Sequence, residues 1–146
     1  MRDSAPPGKE WELDDQEGFP GLIGPIWRQK CEGCRYGLLV GPQHLNRDGA
    51  LHGGVFTALF DHALGFSAYE AGAGSRLVTI QLGIYFIGAA SAGDFLEFET
   101  QVVRQTGSYL FMRGLCYGKH KLLATSDGIW KKIRQPVTHT AVKNEG

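Results

Sequence analysis

The sequence predicts an α+β domain in which a curved antiparallel sheet wraps around one long helix. The segment 53–74, GGVFTALFDHALGFSAYEAGAG, is the only long helical candidate, and it is apolar on nearly every side. Most of its surface therefore has to be covered. Four segments with strand-like patterning follow it, at 76–87, 94–105, 108–118 and 121–133. A sheet of successive strands closed around a single helix satisfies both observations.

The composition favours one globular domain without a strongly charged partner. The chain has 146 residues, of which 42% are hydrophobic, and its fifteen basic and fifteen acidic residues cancel. A domain of this size and composition can form a substantial core. The balanced charge predicts neither nucleic-acid binding nor attachment to a membrane surface. The amino-terminal residues contain no apolar stretch typical of a signal peptide or membrane span, so we expect a cytoplasmic location.

Three regions are expected along the chain. Residues 1–17 are polar and predict a loosely attached lead-in, residues 18–134 form the folded domain, and residues 135–146 form a tail. Within the domain, the segment 19–27 is apolar but broken by Gly and Pro, which allows one or two helical turns at most. The segment 34–43 contains the first predicted strand.

The joints between the four later strands are short and rich in turn-forming residues. They are GAASAGD, TG and GKH, at 88–94, 106–107 and 118–120. Short joints of this composition predict hairpins, so we expect the four strands to pair antiparallel in chain order.

Asp61 stands in a helical segment that is otherwise typical of a buried core. At helical spacing, Thr57, Asp61 and Gly65 share a face of small residues, while bulky apolar side chains occupy the other faces. An unpaired buried carboxylate costs several kcal/mol, so it is paired, protonated or used in chemistry. Pairing with a local cation and a reactive role both remain open. The neighbouring His62 is a poor partner because consecutive helical residues point about 100° apart.

The start of the helix offers backbone N–H donors. Positions 50–52 contain no Ser, Thr or Asp to cap it, and Gly53 and Gly54 carry no side chains to cover their N–H groups. Such donors suit an oxyanion or carbonyl oxygen, although a plain glycine turn would also explain the pair. Asp61 lies about 12 Å further along the helix axis. Two antiparallel helices across a dimer axis would bring donors and carboxylate together, and the site would be shared.

The segment 44–65, HLNRDGALHGGVFTALFDHALG, resembles the signature of hotdog-fold thioesterases of the phenylacetyl-CoA (PaaI) type. The segment 77–94, LVTIQLGIYFIGAASAGD, is similar to that family's first long strand and the following turn. The resemblance covers roughly residues 19–134. It implies a hotdog fold, hydrolysis of an acyl-CoA thioester without metal or cofactor, and a homodimer that pairs again into a homotetramer.

The resemblance also implies roles for five residues. Asp61 corresponds to the catalytic acid, which acts as general base on water or as nucleophile, and Thr79 to a hydroxyl that orients the water. Gly53 corresponds to the residue whose N–H polarises the thioester carbonyl. Asn46, with His52 beside the glycine, corresponds to a side chain that holds the carbonyl or the water. In this family, Gly53 and Asn46 of one subunit face Asp61 and Thr79 of the other.

Further residues are candidates for contact with the substrate, whose acyl group the sequence does not specify. They are Gly54, Phe60, Gly65, Tyr85, Arg104 and Arg113. Tyr85 and its neighbour Phe86 line an acyl tunnel or sit in the sheet core, and the core is favoured. Arg104 and Arg113, together with Arg76 and Lys119, either meet CoA phosphates or are solvated strand ends.

Three alternative interpretations of the sequence exist. A non-catalytic acyl-CoA-binding module would keep the pocket but release no thiol. A hydratase would need an acid–histidine pair at a suitable spacing, which adjacent Asp61 and His62 do not provide. The CEGC motif at 31–34 has the spacing of half a zinc site, but neither Cys116 nor His44 completes a ligand set. We therefore predict no metal.

Overall fold

The computed structural model describes residue 6, residues 8–29 and residues 35–134. The whole CEGC motif at 31–34 and the tail 135–146 lie outside these ranges. The elements in chain order are β1 (Trp11–Asp14), α1 (Phe19–Ile23), β2 (Ile26–Gln29), β3 (Tyr36–Leu39), α2 (Gly53–Ala71), β4 (Leu77–Phe86), β5 (Phe95–Gln105), β6 (Tyr109–Gly118) and β7 (Lys121–Lys132). A single 3-10 turn, Pro42–His44, precedes the loop that leads into α2.

All seven strands form one antiparallel sheet in the order β1-β2-β3-β5-β6-β7-β4. The sheet curves around α2, which contacts β4, β5, β6 and β7. This arrangement confirms the predicted α+β class and the hotdog fold. The predicted helix and the four later strands match the observed elements to within a few residues at their ends.

The core lies between α2 and the sheet. The buried helix residues recur at three- and four-residue steps, as expected for a face turned towards a sheet: Phe56, Leu59, Phe60, Ala63, Leu64 and Ala68. The Phe60 ring meets the edge of Phe98 at 5.1 Å between centroids. Gly114 on β6 makes room for it, since a Cβ there would lie 2.9 Å from the Phe60 ring. Close packing of this kind fixes how the helix sits on the sheet.

The prediction of a polar lead-in over residues 1–17 is wrong for its second half. Residues 11–14 form β1, which pairs antiparallel with β2. Trp11 is buried and packs edge-on against Phe95. Asp14 accepts a hydrogen bond from His62 Nε2 at 2.7 Å, which ties β1 to α2. A four-residue strand is too short for alternation to reveal it, so only its partners in the sheet define it.

The first predicted joint is not a hairpin. β4 pairs with β7, and β5 pairs with β3, so the connection 88–94 crosses from one part of the sheet to another. The other two joints are hairpins, as predicted. A seven-residue joint is compatible with either geometry, whereas shorter joints leave little choice. The consequence for the site is that β4, which carries Thr79, lies at the edge of the sheet.

Candidate active site

Asp61 and Thr79 meet on the open side of α2. The Thr79 hydroxyl on β4 donates a hydrogen bond of 2.7 Å to Asp61 Oδ1. No other partner of the Asp61 side chain occurs within the described ranges. The hydroxyl therefore holds one carboxylate oxygen and leaves the second one available. This contact brings together two residues that the sequence assigned to one site.

The expectation that Asp61 is buried is wrong for the single chain, because Asp61 is exposed, whereas Thr57 and Gly65 on the same face of α2 are half-buried. β4 is the last strand of the sheet, and no strand pairs with its outer edge among the described residues. β4 and the residue after it form an exposed apolar edge, which consists of Val78, Ile80, Tyr85, Phe86 and Ile87. Tyr85 and Phe86 are 75% and 56% exposed, so the favoured core assignment for these two residues is also wrong.

A groove of about 670 Å³ begins at Asp61 and Thr79. It follows the carboxyl-terminal half of α2 past Gly65 and reaches Arg76 in the loop after the helix. Trp130 of β7 also lines this groove. Its volume falls within the range of small-molecule sites in proteins.

A basic pocket adjoins the far end of the groove. It has a volume of about 400 Å³, and its charged lining residues are Arg76, Lys132 and Arg134. Arg76 lines both the groove and this pocket. No ion pair of Arg76 occurs in the described part of the chain. The groove therefore runs from a carboxylate at one end to a cluster of cations at the other.

The start of α2 is capped, contrary to the sequence-based expectation. His52 is the capping residue, and its Nδ1 accepts a hydrogen bond of 2.8 Å from the Gly54 N–H. The donor of Gly54 is therefore occupied. The Gly53 N–H makes no hydrogen bond among the described residues. One free donor remains at the helix start, and it is the one that the family resemblance singles out.

Asn46 orders the loop before the helix. Its Oδ1 accepts hydrogen bonds from the backbone N–H groups of Asp48 and Ala50, at 2.9 and 3.1 Å. Its amide nitrogen has no hydrogen bond within the described ranges. The side chain therefore supports the turn through its oxygen and keeps two N–H donors for another partner.

His44 supports the same loop. From the sequence, this residue was a candidate only as a metal ligand. The imidazole is almost fully buried; its Nδ1 accepts from the Gly41 N–H at 2.9 Å, and its Nε2 donates to the Ile23 carbonyl. Burial lowers the pKa of His44, and the bond to Ile23 offsets this in part. The neutral ring therefore joins the end of α1 to the loop that precedes α2. No local pattern in the sequence indicates this role.

Several other residues that were predicted to contact the substrate do not line the groove. Phe60 is fully buried in the core, so its assignment to the substrate site is wrong. Arg113 pairs with Asp127 at 3.2 Å, and Lys119 pairs with Asp94 at 3.0 Å. Arg104 is exposed on β5 and lines none of the pockets described above. Gly65 does line the groove, as predicted.

His62 lies beside Asp61 but points to a different partner, as predicted from helix geometry. It lines the groove and pairs with Asp14 of β1. Both side chains are largely buried, with 6% and 10% exposure. The described residues contain no group of three or more His, Cys, Asp or Glu side chains suited to a metal ion. In the same ranges, no helix has the length and apolar character needed to cross a membrane.

Comparison with known proteins agrees with this fold. A predicted esterase of Pseudomonas aeruginosa, PA0474, is 30% identical over 112 residues, which cover 75% of this chain and 84% of that protein. The Escherichia coli PaaI protein from the phenylacetic acid degradation operon is 25% identical, with a TM-score of 0.62 and coverage of 69% and 72%. A hypothetical thioesterase of Streptococcus pneumoniae, crystallised with coenzyme A, is 20% identical, with a TM-score of 0.70 and coverage of 75% and 87%.

Residues 48–121 match the thioesterase superfamily. The match contains the glycine pair at the start of α2, the carboxylate of Asp61 and the hydroxyl of Thr79. Together with the hotdog topology and the PaaI-like relatives, it identifies the family. The chain belongs to the thioesterase superfamily.

Proposed function

We propose that the protein hydrolyses acyl-CoA thioesters at a site that two subunits share. The observation that carries the proposal is the pairing of Asp61 with Thr79 at one end of a groove, combined with a free Gly53 N–H on the same helix. These groups provide a base or nucleophile and an oxyanion donor, which are the two elements that thioester hydrolysis requires. The thioester carbonyl is already electrophilic, so the reaction needs no cofactor.

The reaction begins with attack on the thioester carbonyl carbon. Asp61 either takes a proton from water as the water oxygen attacks, or attacks directly through its free oxygen. The carbonyl oxygen becomes an oxyanion, and the Gly53 N–H donates to it. The carbon–sulfur bond then breaks and coenzyme A leaves as the thiolate. Direct attack forms an anhydride with Asp61, which a water molecule hydrolyses in a second step.

Helix geometry supports a shared site. Gly53 and Asp61 are separated by about 12 Å along α2, which is too far for both to reach one carbonyl from the same chain. A Cβ on Gly53 would lie 3.4 Å from Phe86, so Gly53 borders the apolar edge of β4. Exposed apolar edge strands are normally covered. A second copy that covers this edge would bring Gly53 and Asn46 of one subunit to Asp61 and Thr79 of the other.

The arrangement of charged residues along the groove supports coenzyme A as the group that carries the acyl chain. Coenzyme A has phosphates at one end and the thioester at the other, and the groove leads from Asp61 to the basic pocket of Arg76, Lys132 and Arg134. Arginine and lysine are the usual partners of phosphate. The structural relative from Streptococcus pneumoniae holds coenzyme A. The tetramer, the cytoplasmic location and contacts from Arg104, Arg113 or Tyr85 remain predictions from the sequence.

The test is release of free thiol from a panel of aryl- and aliphatic-CoA esters. Asp61→Asn should abolish hydrolysis, since the amide is neither base nor nucleophile, while the fold and assembly are kept. Asp127→Asn is the matched control, because this exposed aspartate pairs with Arg113 outside the groove. Undiminished hydrolysis by Asp61→Asn would exclude the mechanism. Binding of CoA esters without thiol release by the wild type would instead indicate the non-catalytic module.

A further inference from the structure

The indole N–H of Trp130 is accessible from the groove and has no partner in the described part of the chain. Trp130 is 2% exposed and lines the groove. Its Nε1 lies beside α2, where a Cβ on Gly65 would approach it to 3.4 Å. No hydrogen bond from Nε1 occurs among the described residues. The tryptophan N–H usually has a hydrogen-bond acceptor, so a donor that opens on the groove from an otherwise buried ring is available to an acceptor atom of a ligand.

The position of this donor follows from the sheet and the helix. Trp130 on β7 is the direct cross-strand neighbour of Thr79 on β4. Gly65 lies one turn beyond Asp61, about 6 Å along α2 towards its carboxyl end. The groove continues from there to Arg76. The indole N–H is therefore placed between the carboxylate and the basic pocket.

We propose that the Trp130 N–H donates to the first amide carbonyl of the pantetheine arm, counted from the sulfur. This inference rests on the proposed function. In coenzyme A thioesters, two methylene groups separate the sulfur from that amide, and they span about 5 Å when extended. This distance is close to the helical turn between Asp61 and Gly65. The absence of a side chain at Gly65 leaves room for the carbonyl beside the indole.

The rest of the groove wall suits the same arm. Phe66 and Leu77 present apolar surface, and Tyr69 lines the groove further along the helix. Methylene groups pack well against such surfaces, whereas an amide carbonyl needs a donor. Trp130 provides that donor in the groove wall. It is therefore expected to distinguish thioesters that carry the amide from those that lack it.

The experiment compares three thioesters with the same acyl group: the coenzyme A ester, the pantetheine ester and the S-ethyl ester. Trp130→Phe keeps an aromatic ring and removes the N–H. It should lower kcat/KM about five- to tenfold for the first two esters, mainly through KM, and leave the S-ethyl ester unchanged. Trp11→Phe is the control, since Trp11 packs against Phe95 away from the groove.

Equal losses on all three esters, or no loss on any of them, would overturn the assignment. Gly65→Ala provides a second variant in case Trp130→Phe does not fold, because its methyl group would occupy the space beside Nε1 and should give the same pattern. If the wild type hydrolysed none of the esters, the proposed function would fail. The contact with the pantetheine arm would then be tested by calorimetric binding of pantetheine. Trp130→Phe should bind pantetheine more weakly than the wild type, and equal affinities would refute the contact.

Discussion

Replacement of Gly53 by proline removes one N–H donor with little other change. Gly53 is the first residue of α2, where proline is well tolerated because that N–H has no partner within the helix. His52 before it is extended, with φ −65° and ψ 134°, which is the conformation that a residue preceding proline prefers. Gly53→Ala keeps the N–H and places its Cβ 3.4 Å from Phe86, in ordinary contact. The two variants therefore differ chiefly in the donor.

The proposed oxyanion interaction sets the size of the effect. Removal of one such donor costs about 2.7–4 kcal/mol in the transition state, which corresponds to a loss of about 10²–10³ in kcat. We expect Gly53→Pro to show this loss and Gly53→Ala to stay within a few-fold of the wild type. The assay is steady-state thiol release from a good acyl-CoA ester, with thermal unfolding as the folding control. A well-folded proline variant with near wild-type kcat would refute the role of the donor.

Two further predictions concern stability. Because burial lowers the pKa of His44, the unfolded chain binds more protons than the folded one below about pH 6.5, so stability should be lost as the pH falls through that region. Urea unfolding at pH 7.5 and 5.5 should show a smaller pH effect in His44→Gln, and equal pH effects would contradict this account. Asp14→Asn should lower the free energy of unfolding by about 1–3 kcal/mol, because it weakens the bond to His62. The exposed Asp15→Asn should change it by less than about 0.5 kcal/mol, and equal effects of the two variants would refute a structural role for β1.

Local patterns in the sequence were sufficient for the central helix and the four long strands. Their periodicity extends over ten or more residues, and Gly72 ends α2 where the apolar pattern stops. β1 and β2 are four residues each, and their existence depends on pairing across the sheet. The place of β4 depends on β7, and the paired residues of these two strands are between 38 (Phe86 and Ala124) and 55 (Leu77 and Lys132) positions apart in the sequence. Pairing between strands that are so far apart in the sequence cannot be deduced from a local pattern.

The features of the candidate site also divide into those that the sequence indicates and those that only the tertiary structure shows. The resemblance indicated Asp61, Gly53 and Thr79. The expectation that Asp61 is buried came from the apolar residues around it, and these do not show which side of the helix the sheet of the same chain covers. The sheet leaves one side open at β4. The contacts of His62 with Asp14 and of Trp130 with the groove join residues that are far apart in sequence. Such contacts become visible only when the tertiary structure is known.

A shared site can be tested by mixing two inactive variants. Asp61→Asn lacks the carboxylate and Gly53→Pro lacks the donor, so each homodimer should be inactive. In a two-fold dimer, a mixed pair contains one site with both groups intact and one site with neither. After random exchange of equal amounts, activity should return to about a quarter of the wild-type value. Activity that stays at the level of the separate variants, with mixed dimers demonstrated by mass spectrometry, would contradict a site built from two chains.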